Sequence, residues 1–255
     1  MSAPEPAVLV TGAGARVGKA IALTLGRAGW AVAVHYNRSK GPAEETAQAI
    51  RDAGGRAAAV QGDLSDPDAL AAIIPAAAEA LDGPLTALVN NASTFEDDRL
   101  TSMTAESWDH HLAANLRAPC FLAQGFAAQL PAEAEGAIVN ILDQRVKKPT
   151  PQFFTYSLSK AGLAWATVTM AQELAPRTRV NAVLPGPTLK NPRQSDADWE
   201  KQTKATILGR GSPPEDIADA VRYLLDASAV TGQLLAVDGG QHLVWQTPDV
   251  WGVSE

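Results

Sequence analysis

Tyr156 and Lys160 stand four residues apart in Tyr156-Ser-Leu-Ser-Lys160, a spacing that places two side chains on one face of a helix. A phenol has an ordinary pKa near ~10 and moves few protons at neutral pH unaided. A neighbouring ammonium favours the phenolate and brings that value down. The pair is therefore suited to proton transfer. Thirteen positions before Tyr156 stands Asp143, at what reads as a strand end. Its carboxylate can accept strong hydrogen bonds from a polar ring, and a plain ketone has no such donors. Asn115, in a helix before that strand, can tie a water to Lys160 for proton supply, or can simply pack a helix.

These groups need a frame. Runs at Ala7–Thr11, Ala31–His35, Ala57–Gln61, Ala87–Asn90, Ala137–Leu142, Arg179–Val183 and Leu234–Val237 read as strands. Helical patterns at Val17–Ala28, Ala43–Ala53, Pro67–Leu81, Ala105–Leu130, Thr155–Leu174 and Pro214–Asp226 lie between them, the fourth divisible into two at Pro119. The alternation predicts an α/β fold: a single doubly wound Rossmann-type domain over 1–255, with a parallel seven-stranded sheet and helices on both faces. Open sheets of this kind place ligands at the carboxyl ends of their strands, where Asp143 falls. Pro185–Gly211 breaks the rhythm with Pro185, Pro187 and Pro192, and its length suits a lid or binding loop. A tail, Gln241–Glu255, carries Trp245 and Trp251.

A net charge of −7 argues against a nucleic-acid partner, and 46% apolar residues suffice for a buried sheet. Cys120 is alone and lies in an apolar stretch, which predicts an inert core thiol in a reducing compartment. The opening MSAPEPAVLVTG has no export pattern, and no apolar run reaches membrane-spanning length, so the expectation is a soluble, cytoplasmic protein without a membrane partner. His110 and His111 have no partners at metal spacing, and Lys147-Lys148 reads as a solvated turn.

Thr11–Gly18, TGAGARVG, sits between the first strand and first helix. Glycines let backbone approach a pyrophosphate, and the helix start offers free N–H groups. Gly12 opens the turn, but Val17 breaks G-x-G-x-x-G, and Arg16 replaces a glycine of T-G-x-x-x-G-x-G. The second strand ends in His35–Ser39 without the acid that an NAD ribose usually wants. Arg16, Arg38 and Ser39 suit a 2′-phosphate instead, which predicts NADPH. Asp63-Leu64 can hold the adenine. Asn90-Asn91-Ala92 can border the nicotinamide or brace the strand end.

Together, the TG turn, Asp63, Asn90-Asn91-Ala92, Asn115, Tyr156/Lys160, Pro185-Gly186 and Val237–Gly240 resemble the short-chain dehydrogenase/reductase family over nearly the whole chain. Within it, Arg16, HYNRS, NNASTF, Asp143 where serine is usual, and a tryptophan after Pro185-Gly186 resemble pteridine and dihydromonapterin reductases. The resemblance implies that Arg16, His35, Asn37, Arg38 and Ser39 surround the ribose phosphate, with Val17 and Pro185-Gly186 also along the cofactor site. It implies that Arg16 also reaches substrate, that Ser93 meets cofactor phosphate or pterin, and that Phe95 stacks on the pterin opposite the nicotinamide. Asp143 and Tyr156 would form an acid pair, Lys160 would hold the nicotinamide ribose, and Trp199 would close the site.

The implied reaction is NADPH-dependent reduction of a dihydropterin (dihydromonapterin, dihydrobiopterin or dihydrofolate) to the tetrahydro level, in a homotetramer. The Tyr156/Lys160 pair equally suits an ordinary carbonyl reductase acting on a ketone or acyl-carrier intermediate. A third reading is a dinucleotide-binding protein without catalysis.

Overall fold

The computed structural model describes residues 5–191 and 193–247, so Pro192 and Trp251 lie outside the described residues. Strands β1 (Ala7–Val10), β2 (Ala31–Tyr36), β3 (Ala57–Gln61), β4 (Ala87–Asn90), β5 (Gly136–Ile141), β6 (Thr178–Pro185) and β7 (Leu234–Val237) form one sheet. Its order is β3-β2-β1-β4-β5-β6-β7, and each described pairing is parallel. β1, β2, β4 and β5 are buried along their full lengths, as strands covered on both faces must be.

Helices α1 (Arg16–Arg27), α2 (Lys40–Asp52) and α8 (Pro214–Asp226) pack on one face, burying Ile21, Leu25, Ile50, Ile217 and Val221 with alternate strand residues such as Val8 and Val34. On the other lie α3 (Pro67–Ala80), α5 (Ala118–Gln129) and α6 (Phe154–Leu174), around Leu70, Leu122, Phe126 and Leu163. The chain reaches the β3 edge and then returns to the far side of β1 as β4. That reversal opens a crevice at the carboxyl ends of β1 and β4, where such sheets bind ligands.

The expected Ala105–Leu130 helix is two helices. α4 (Ala105–Leu112) passes through a π-helical stretch, Ala113–Arg117, into α5. Pro119 has no N–H for the Asn115 carbonyl four residues back, and the register widens, with Ala118 N–H reaching Ala113 O. α2 starts at Lys40 rather than Ala43, because Pro42 falls in the first turn, where its missing N–H costs nothing. The expected loop 185–211 contains α7 (Asp196–Lys204), capped by Ser195 Oγ accepting from Asp198 N–H at 3.1 Å. None of its side chains is buried, so it has no apolar stripe for periodicity to reveal.

Candidate active site

The first turn is built for close approach. Gly12 has φ +63°, and a Cβ there would meet Ala92 Cα at 3.0 Å; one on Gly18 would meet Gly12 O at 2.3 Å. Thr11 Oγ1 accepts the N–H groups of Asn91 (2.9 Å) and Ala92 (3.0 Å), and Asn91 Nδ2 donates to Thr11 O at 2.8 Å. Asn91 and Ala92 thus lock the β4 loop to the turn. Val17 packs on the core beneath. Arg16 takes φ +52°, a glycine-like conformation, at the place where its motif has glycine. Ala15 caps α1 with no side-chain hydrogen bond, and the first turn holds no acid, so the helix start favours an anion.

His35, expected beside the ribose phosphate, lies beneath the turn instead, only 1% exposed. Its Nδ1 accepts from Gly12 N–H at 3.2 Å, which leaves Nε2 to donate to Gly62 O at 3.0 Å. Burial pushes its pKa down to about 4, outweighing the opposing pull of Gly62 O and Asp63. A neutral imidazole latches the turn here; it offers no charge to a phosphate. Asn37, Arg38 and Ser39 are exposed just above, and the Ser39 hydroxyl makes no capping bond. Asp63 is held below the usual carboxylate range first by the Ser65 hydroxyl and N–H, then by Asn37 and Arg38. The Leu64 side chain is buried in the core.

At the carboxyl end of β5, Asp143 caps a short 3-10 turn, Gln144–Val146. Tyr156 donates its O–H to Asp143 Oδ2 at 2.9 Å. Arg145 donates to the same carboxylate twice over, from its backbone N–H (2.8 Å) and from Nη1 (3.1 and 3.2 Å). Lys160, 2% exposed, donates to Ile141 O at 2.9 Å, with Nζ 5.8 Å from the Tyr156 ring centre. Burial pushes the lysine down to about 8. The expectation that Lys160 lowers the phenol is corrected here: burial first, and then the Asp143 carboxylate, raise Tyr156 well above its ordinary value. Tyr156 is a protonated phenol at neutral pH.

Asn115 is fully buried; it accepts from Ser93 Oγ (3.1 Å) and Thr94 N–H (2.9 Å) and donates to Thr94 O (3.0 Å) and Ser159 Oγ (3.1 Å). Its side chain therefore fixes the Ser93–Thr94 loop on α6, and its link to Lys160 is indirect. The next residue, Phe95, stacks on Phe153 at 4.4 Å and 12°, and meets the Tyr156 ring edge-on at 4.7 Å. Phe153 is left-handed, φ +56°, an unfavourable state for an aromatic residue. Asp97 Oδ1 accepts its N–H at 3.3 Å, while Asp98 accepts from Thr155 N–H at 3.0 Å and from the Thr155 hydroxyl. His111, fully buried, joins this network through Thr155 Oγ1 (2.7 Å) and Glu96 N–H (3.1 Å).

Among the described residues, the buried side-chain atoms without a partner are Asn90 Oδ1, Thr94 Oγ1, Gln144 Oε1, Arg145 Nε and Ser157 Oγ. All sit at the ends of β4 and β5 or the start of α6. Native interiors rarely leave such groups unpaired, and these lie around the strand ends where open sheets of this kind place ligands.

A family model described as Enoyl-(Acyl carrier protein) reductase matches residues 12–242. The chain belongs to the short-chain dehydrogenase/reductase family. Two solved structures are similar to it throughout. FolM alternative dihydrofolate reductase 1 from Brucella suis, in complex with NADP, is 45% identical with a TM-score of 0.93, covering 98% of this chain and 100% of that one. Its Brucella canis counterpart, complexed with NADP, is 44% identical with a TM-score of 0.90, covering 96% and 98%. The 3-oxoacyl-[acyl-carrier-protein] reductase FabG of Staphylococcus aureus is 34% identical over 92% of this chain and 97% of its own.

Sequence reasoning on this short-chain dehydrogenase/reductase missed Arg145, Phe153 and Arg193. Arg145 sits two residues after Asp143, a spacing that permits a shared carboxylate and was the available signal. Nothing local announces the left-handed Phe153. Arg193 Nη2 donates to Phe95 O at 3.0 Å, and Arg16 Nη2 to Leu189 O at 3.3 Å, so the 185–211 segment is strapped across the crevice from both sides. Trp199 is half-buried on α7, outside the Phe95–Phe153–Tyr156 cluster. Gly186 takes the position a Cβ would deny it, 2.7 Å from Asp238 Cα, next to Pro185 at the end of β6. Lys148, expected in a solvated turn, anchors the tail by donating to Gln241 O and Val244 O, each at 3.3 Å. Cys120 is half-buried, and burial pushes its thiol up, away from the reactive thiolate.

Proposed function

We propose that this short-chain dehydrogenase/reductase uses NADPH to reduce a 7,8-dihydropterin to its tetrahydro form. The observation that carries the reading is the Asp143 carboxylate, ion-paired with Arg145, accepting a hydrogen bond from the Tyr156 hydroxyl at 2.9 Å beside the Phe95 shelf. A carboxylate accepts hydrogen bonds; it gives none to a ketone oxygen. It suits a flat ring bearing N–H groups, and an aromatic shelf suits that ring's face. The two Brucella relatives described as alternative dihydrofolate reductases support the same class.

NADPH fits the residues present. The uncapped start of α1, Gly12 and Gly18 would take the pyrophosphate, and Arg16, Arg38 and Ser39 the 2′-phosphate. Lys160 would hold the nicotinamide ribose. When bound, NADPH supplies the hydride for a ring C=N carbon. Tyr156 then gives its proton to the adjacent nitrogen, so that one hydride and one proton saturate the bond. Asp143 aligns the phenol and takes a ring N–H. Phe95 fixes the plane of the substrate. Ser93 and Arg16 would border the pterin.

The 34% identity with FabG supports a second reading, reduction of a 3-oxoacyl group. Asp143→Ser separates them. We expect kcat/KM for a dihydropterin to fall by about 100-fold, the scale of losing a charged hydrogen bond, and activity on a 3-oxoacyl thioester to hold or rise. Equal losses on both substrates would remove the selective role of Asp143.

Assembly as a homotetramer belongs to the same proposal. Phe121 on α5 and Trp165 on α6 are 57% and 72% exposed, large apolar surface that a subunit contact would cover. Sedimentation velocity reads the stoichiometry, and a monomer at micromolar concentration would contradict it.

A further inference from the structure

We propose that Arg145 is the positioning residue of this site: it fixes the Asp143 carboxylate against Tyr156 and braces the Phe95–Phe153 shelf. The inference rests on the Tyr156-centred reductase reading and not on the choice of substrate.

The contacts make one unit. Backbone and side chain of Arg145 bind the same carboxylate from two residues away, and both side chains are largely enclosed, 18% and 15% exposed. The guanidinium carbon lies 5.0 Å from the Phe153 ring centre and 5.7 Å from that of Phe95. With the ring centres 4.4 Å apart, the guanidinium lies alongside the stacked pair, within cation–aromatic range of both rings. One side chain therefore ties the acid–base pair to the stacking surface. The left-handed Phe153 supports this, since its unusual backbone presents the ring both to Phe95 and to the guanidinium.

Other charged and titratable groups face the same point. Tyr156 and Lys160 come from α6, and His111 from α4 lies 6.1 Å from the Tyr156 ring. Lys160 spends its bond on Ile141 O, so Arg145 supplies the direct cation contact to Asp143. Without the guanidinium, the Arg145 backbone N–H and the Tyr156 O–H are the contacts left to orient the carboxylate. It would then be freer to rotate, and the phenol would lose its alignment.

The test is steady-state kinetics on the NADPH-loaded enzyme, with a dihydropterin and a 3-oxoacyl thioester, for Arg145→Met and Arg145→Lys. For Arg145→Met we expect kcat to drop at least about tenfold, substrate KM to rise, and NADPH affinity to stay within about twofold. Arg145→Lys keeps the charge: kcat returns toward its wild-type value, while substrate KM stays raised because the guanidinium's contact with the two rings is gone. A lysine variant with wild-type KM overturns the shelf role. An Arg145→Met enzyme with wild-type kcat overturns the proposal. Should Arg145→Met fail to fold, the split between kcat and KM in Arg145→Lys decides it alone. Wild-type turnover of the thioester only would sink the pterin reading and leave this inference to be settled on that substrate. Turnover of neither would sink both.

Discussion

Tyr156→Phe is expected to lower kcat by about 10²–10⁴-fold, the range for losing a positioned general acid. The variant removes one oxygen and keeps the ring that packs edge-on against Phe95 at 4.7 Å. Folding and NADPH affinity should therefore stay close to wild type. Burial and the Asp143 carboxylate raise the pKa of Tyr156, so the phenol keeps its proton at neutral pH and its O–H is present to be given. Asp143 is already committed to Arg145 as an acceptor. Single-turnover oxidation of NADPH isolates the reduction step from product release. A variant keeping more than about a tenth of wild-type kcat would mean that water delivers the proton.

The second large effect is acid sensitivity set by His35. Its folded-state pKa is about 4, below the ordinary 6.5. A base with a depressed folded pKa stabilises the fold fully above 6.5, and that contribution is lost as pH falls from 6.5 toward 4. The span amounts to about 3 kcal/mol, a large share of a typical domain's stability. Protonation also turns Nδ1 into a donor facing the Gly12 N–H at 3.2 Å, so the turn that would cradle the pyrophosphate loosens with it. Urea unfolding at pH 7, 6 and 5 should show stability falling in the wild type. In His35→Gln the His35 contribution to that slope disappears, whatever its absolute stability. Parallel slopes in the two proteins would show that His35 does not set the acid response.

The parts of this molecule legible from sequence are those written in local pattern. β1, β2 and β4 open as apolar runs because both faces of the sheet are covered, and β2 and β4 turn polar only at their carboxyl ends. Pro119 announces the break after α4 because a missing N–H acts four residues back along the chain. The convergence of Asp143, Tyr156 and Lys160 follows from strand ends and helix faces. What stayed hidden depends on three-dimensional surroundings. His35 reads as a phosphate ligand until burial makes it a neutral latch. Lys160 reads as the group that acidifies Tyr156, but its ammonium goes to a backbone carbonyl and enclosure raises the phenol. α7 has no buried face to betray it. Arg145 and Phe153 matter through a turn and a left-handed residue that spacing alone does not encode.

The most direct test of the central claim is NADPH oxidation by the purified protein, followed with dihydromonapterin, dihydrobiopterin, dihydrofolate, a 3-oxoacyl thioester and simple ketones. The Asp143–Tyr156–Phe95 arrangement predicts turnover of the dihydropterins with kcat/KM at least about 100-fold above any ketone. Brisk reduction of the thioester with the dihydropterins inert would contradict it, and would make this chain a 3-oxoacyl reductase carrying a carboxylate at its catalytic centre.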